Sequence, residues 1–85
     1  MIKLKDIDDL DDLFCEAAKT VVENQNGSPS FLQRQLKLGY NRAGRLTDQL
    51  EQAGVIGPFN GGTPREVLFK DIESLENFLF LNDGE

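Results

Sequence analysis

Gly39-Tyr40-Asn41-Arg42-Ala43-Gly44-Arg45-Leu46-Thr47-Asp48-Gln49-Leu50-Glu51-Gln52-Ala53-Gly54 is the stretch that decides the fold. At about 100° per residue, Ala43, Leu46, Leu50 and Ala53 gather on one side of a helix. Asn41, Arg45, Asp48 and Gln52 gather on the opposite side, within a stripe of roughly 60°. The period predicts an amphipathic helix over residues 40–53, stopped by Gly54, which suits the left-handed conformation after a helix. Just upstream, Gly39 follows Lys37-Leu38 in a short connection, and a Gly between two helices signals a helix-turn-helix.

The preceding helix is short, over residues 31–36. Two starts compete for it. Ser28 can cap with Pro29 at the first helical position, or Ser30 can cap with Gln33 closing a capping box. The second is preferred, leaving Ser28-Pro29 extended. Further upstream, Leu10, Leu13, Phe14, Ala17, Ala18, Val21 and Val22 follow the spacing of one buried stripe. They predict a helix over residues 8–25, with Asp8, Asp9, Asp11 and Asp12 in its favourable first turns. It fades at Asn24-Gln25-Asn26-Gly27, where Gly27 supplies the left-handed residue.

Downstream, Val55-Ile56 reads as a short strand. Gly57-Pro58-Phe59-Asn60-Gly61-Gly62-Thr63-Pro64 is dense in turn residues. Residues 65–69 alternate around Val67 and Phe69 and read as the return strand. Two short strands around a Gly-rich loop, placed after a helix-turn-helix, make a wing. Asp71 caps a final helix over residues 71–81 in which Ile72, Leu75 and Leu79 share a face. Phe78, Phe80 and Leu81 add apolar bulk, expected to cover the first helix. The fold expected is therefore mostly α with a small β-hairpin. It is a winged helix-turn-helix: a three-helix core plus wing and an extra C-terminal helix.

Bulk properties agree with one small domain. Eighty-five residues cannot house a deep cleft, yet hydrophobic content of 39% argues for a globular core. No apolar run spans a membrane, and the first residues lack the apolar stretch of a signal peptide, so a cytoplasmic location is expected. The single Cys15 allows neither an internal disulfide nor a metal cluster, and there is no His. Without a general base, a thiol constellation or a phosphate loop, no catalytic site can be assembled, and no cofactor is expected. The net charge of −6 is unevenly spread. Residues 1–27 carry −4, residues 28–70 carry +3, and residues 71–85 carry −5. A basic middle lies between acidic ends that weaken non-specific attraction to phosphates.

The exposed stripe carries a particular chemistry. In the major groove Arg pairs bidentately with guanine, Asn with adenine, and a carboxylate accepts from the cytosine amino group. Asn41, Arg45 and Asp48 supply all three. Arg34, Lys37 and Arg42 lie close in sequence and suit phosphates, and Arg65 at the wing suits backbone or minor groove. The plainer alternative is a solvated helix face with an ordinary Arg45–Asp48 ion pair.

The runs Leu32-Gln33-Arg34, Gly39-Tyr40-Asn41-Arg42-Ala43, Arg45-Leu46 and Asp48-Gln49-Leu50-Glu51 strongly resemble the gamma domain of the FtsK/SpoIIIE family of bacterial DNA translocases. So do Gly54-Val55-Ile56-Gly57-Pro58, Pro64-Arg65-Glu66-Val67-Leu68 and the Leu13-Phe14…Ala17 entry helix. The resemblance implies a C-terminal winged-helix module that recognises short G-rich DNA sequences orienting the motor. It also implies contact with a Xer recombinase. It places base reading on Asn41, Arg45 and Asp48, the last more often Glu in the family and so shorter here. Gly44 stands where Ala is usual, which permits close backbone approach. The usual basic residue near Ser28-Pro29-Ser30 is absent, which argues against one phosphate contact, and the acidic helix after Lys70 has no counterpart. No Gly-Lys pair occurs, so no motor phosphate loop is present. Met1 and the closing acidic helix suit a complete small protein or an isolated domain whose motor lies elsewhere. The expected partner is double-stranded DNA. The competing reading is a protein-interaction adaptor or self-dimer using Phe78-Leu79-Phe80-Leu81.

Overall fold

The computed structural model describes residues 4–59 and 65–83. Among them a 3-10 turn at Leu4–Asp6 precedes α1 (Phe14–Asn24), α2 (Pro29–Leu36), α3 (Tyr40–Ala53) and α4 (Ile72–Asp83). The architecture is mostly helical. α1 is central, packing against α2, α3 and α4, while α4 also covers the 3-10 turn.

The core follows the helical stripes. Phe14, Ala17, Ala18, Val21 and Val22 of α1 are buried against Leu32 of α2, and Leu46, Leu50 and Ala53 of α3. Leu75, Phe78 and Leu79 of α4 close it from the other side, with Leu4 and Ile7 beneath. Each large aliphatic side chain sequestered this way contributes about 1.5–3 kcal/mol. Phe69 extends the cluster, its ring 5.3 Å from that of Phe78 in a tilted pair. The expected apolar patch on α4 is divided: Phe78 and Leu79 turn inward, whereas Phe80 and Leu81 are 77% and 69% exposed.

Helix α1 begins at Phe14, not at residue 8. Asp9 takes a left-handed conformation with φ 51°. The Gln49 side chain donates to the Asp9 carbonyl at 2.9 Å and accepts from the Asp11 amide at 3.0 Å. The Asp11 carboxylate accepts from the Leu13 amide at 2.8 Å. Backbone groups that a helix would use internally are thus committed elsewhere, and the acidic run forms a turn ahead of α1. At the other end Gln25, with φ 49°, is the left-handed cap in place of Gly27. Gly27 serves a different need: a Cβ there would stand 2.8 Å from Ile56 Cγ2.

The start of α2 resolves in favour of Ser28, whose hydroxyl accepts from the Phe31 amide at 3.2 Å, with Pro29 opening the helix. The preference for Ser30 is therefore corrected. Pro29 has no N–H to satisfy and its fixed φ favours that first position. In the α2–α3 turn Lys37 is left-handed at φ 56°, and Gly39 is the extended cap of α3.

The expected strands 55–56 and 65–69 are not formed. One antiparallel bridge joins Ile56 to Val67. It is flanked by the Gly57 amide on the Glu66 carbonyl and the Leu68 amide on the Val55 carbonyl, both at 2.8 Å. The ladder does not lengthen on the α3 side, because the Val55 amide, which would answer the Leu68 carbonyl, returns instead to Leu50. Residues 60–64 of the expected turn lie outside the described residues. Asp71 is a cap rather than a helical residue, accepting from the Ser74 amide at 2.8 Å, and α4 runs on to Asp83. No helix among the described residues is long and apolar enough to cross a membrane.

Candidate nucleic-acid interface

The apolar side of α3 anchors the helix and leaves its other side outward. Asn41, Arg45 and Asp48 are all exposed. They line one open concavity of about 560 Å³ together with Tyr40 and Gly44, and its far wall is Pro29 and Ser30 of α2. Among the described residues their side chains make no hydrogen bond or ion pair, so Arg45 and Asp48 do not neutralise each other. A guanidinium, an amide and a carboxylate stand unengaged beside one another, with full donor and acceptor capacity directed outward.

Two buried polar side chains lie on the inner side of α3, one bonded within the helix and one across to the N-terminal turn. The Thr47 hydroxyl donates to the Ala43 carbonyl at 2.8 Å. Gln49, only 3% exposed, ties α3 to Asp9 and Asp11 as described. Residues 48 and 49 therefore face different surroundings: Asp48 solvent, and Gln49 the N-terminal turn. Gln49 is a positioning residue that the sequence reading passed over. Its signal was the period itself, which puts a polar side chain on the flank of the apolar stripe.

The four cations assigned to phosphates are in different states. Arg34 and Lys37 are exposed. Arg42 is bidentate with Asp11, through Nε at 2.9 Å and an Nη at 2.8 Å, while its side chain keeps 43% exposure. Arg65 is only 13% exposed. It donates to Glu51 at 2.9 Å and to the Gly57 carbonyl at 3.3 Å, and lies 5.9 Å from the Phe59 ring centre. Arg65 thus clamps the loop base onto α3.

The acidic N-terminal turn borders the two arginines of α3 directly. Asp9, Leu10, Asp11 and Asp12 share a shallow hollow with Arg42 and Arg45. The hydrogen bond from Arg42 holds the Asp11 carboxyl down at about 2, against the opposing effect of burial. The Leu13 amide and the charges of Arg42 and Arg45 act in the same direction. Reciprocally, Asp11 raises Arg42 above its ordinary value. No cluster of His, Cys, Asp or Glu able to hold a metal occurs among the described residues.

A family model described as the Ftsk gamma domain matches residues 8–70. The DNA translocase FtsK of Chlorobaculum tepidum is 54% identical over 69 residues, 81% of this chain and 9% of that protein. The DNA translocase FtsK of Corynebacterium efficiens is 51% identical over 77 residues, 91% of this chain and 8% of that protein. That of Streptomyces avermitilis is 44% identical over 81 residues, covering 95% and 9%. The chain therefore spans under a tenth of the length of the curated relatives it matches.

Proposed function

This chain belongs to the FtsK gamma domain family, and on that premise we propose that it is a winged-helix module that reads double-stranded DNA. The carrying observation is the open, unpaired trio Asn41, Arg45 and Asp48 on one face of α3. The Ile56–Val67 bridge supports a minimal wing, with Arg65 at its base held to Glu51 of α3. In this reading α3 enters the major groove, where Arg45 pairs with guanine, Asn41 with adenine and Asp48 with a cytosine amino group. Arg34 and Lys37 hold phosphates, and the outer edge of Arg42 adds a third contact without leaving Asp11. Arg65 acts by fixing the loop base and reaches DNA only if its Glu51 contact opens. The duplex preferred is a G-rich orienting sequence, and the module sets the direction of a translocase motor in the same or another chain.

The test compares wild type, Arg45→Ala and Arg34→Ala on a G-rich duplex and a scrambled one at fixed salt. Arg45→Ala costs about 1–3 kcal/mol on the preferred duplex only. Arg34→Ala weakens both alike and reduces the salt slope by about 1. If wild type and Arg45→Ala bind both duplexes equally, base reading through α3 is wrong.

A second reading rests on the exposed Phe80 and Leu81. It is a protein-interaction role, toward a Xer-type recombinase or a second copy, on a face other than the α3 concavity. Association that survives high salt with both Asn41→Ala and Arg45→Ala in place distinguishes it from DNA-bridged association.

A further inference from the structure

Glycine in the middle of a helix is usually explained by crowding or by an unusual backbone angle. Neither applies to Gly44. A Cβ built there meets nothing within 4 Å. Among the described glycines only Gly54 has a positive φ. The backbone of α3 is helical from Tyr40 to Ala53, so Gly44 weakens the helix with no internal return. What it does instead is floor the concavity, with Asn41 three residues before it and Asp48 four residues after. The missing side chain matters only to something that enters from outside.

We propose that Gly44 is a specificity element of the reading surface, letting the wall of the groove seat directly on the α3 backbone so that the short Asp48 carboxylate reaches a base edge. This rests on the DNA reading above. Aspartate carries its carboxylate one methylene closer to the helix than glutamate does. A methyl at residue 44 holds the groove back by about one carbon–carbon bond, near 1.5 Å, which is the reach Asp48 lacks. Gly44 and Asp48 are thus a matched pair. Asn41 and Arg45, with longer or more adaptable reach, depend less on the seating depth.

The experiment selects a preferred duplex for the wild type from a library with a randomised core. It then measures that duplex against Gly44→Ala, Asp48→Glu and the double variant, with Asn41→Ala/Arg45→Ala as a control. Gly44→Ala weakens binding roughly tenfold or more, the size of one lost base contact, while its melting temperature rises because alanine favours the helix. Adding Asp48→Glu recovers most of that loss. Unchanged or tighter binding by Gly44→Ala overturns the inference, as does a loss that Asp48→Glu fails to repair. If instead no preferred duplex emerges, or the Asn41→Ala/Arg45→Ala control binds like wild type, the DNA reading itself falls.

Discussion

Replacing Asp11 by Asn removes the negative charge facing Arg42 but keeps an oxygen that can accept from the Leu13 amide. The substitution therefore isolates the ion pair from the turn it sits in. In the folded chain the Asp11 carboxyl is held at about 2 against an ordinary 3.8. At about 1.4 kcal/mol per pH unit, that difference corresponds to roughly 2.5 kcal/mol. Arg42 keeps 43% of its side chain in solvent, so screening lowers the expected contribution to about 1 kcal/mol. The depressed value fixes the sign. The stabilisation is fully present above the unfolded-state value near 4 and is lost as pH falls toward 2. Urea unfolding of wild type and Asp11→Asn should show a gap of about 1 kcal/mol near neutrality. The gap should close between about pH 4 and pH 2. A gap that stays constant across that window would mean that packing or the turn, not the charge, accounts for the effect.

Four further substitutions probe the frame around the site. Gly27→Ala should lower stability by about 1–3 kcal/mol, since the new methyl meets Ile56 at 2.8 Å; a thermal melt matching wild type would contradict that contact. Gln49→Leu strands the Asp9 carbonyl and the Asp11 amide, at a cost of about 1–3 kcal/mol. Hydrogen exchange at the Asp11 amide should accelerate, and unchanged protection would disprove the tie. Ser28→Ala removes the α2 cap for about 1 kcal/mol, whereas Ser30→Ala should change the unfolding midpoint little.

Local period made the helical interior readable in advance. The buried stripes Ala17-Ala18-Val21-Val22 and Leu46-Leu50-Ala53 lie where 3.6-residue spacing puts them. The outward trio on α3 was readable for the same reason, being the complement of that stripe. What escaped the reading depended on partners distant in sequence. The acids at residues 8–12 suit a helix start, but Gln49, some forty residues on, claims their backbone groups. Gly27 suits a left-handed cap, yet Gln25 takes that conformation. Long-range packing decided the matter at Gly27, where only a residue without a side chain fits under Ile56. Arg65 looked like a free cation because nothing local reveals that Glu51 faces it. The alternating pattern of residues 65–69 promised a strand, but the Val55 amide that would answer Leu68 is already taken by Leu50 at the end of α3.

The Gln49 tie has a mechanical corollary. Tension applied to the chain ahead of residue 9 reaches α3 early, through the two Gln49 bonds and the Arg42 fork on Asp11. The N-terminal turn and the helix that carries Asn41, Arg45 and Asp48 are therefore coupled by side-chain bonds as well as by the core, so displacing one loads the other.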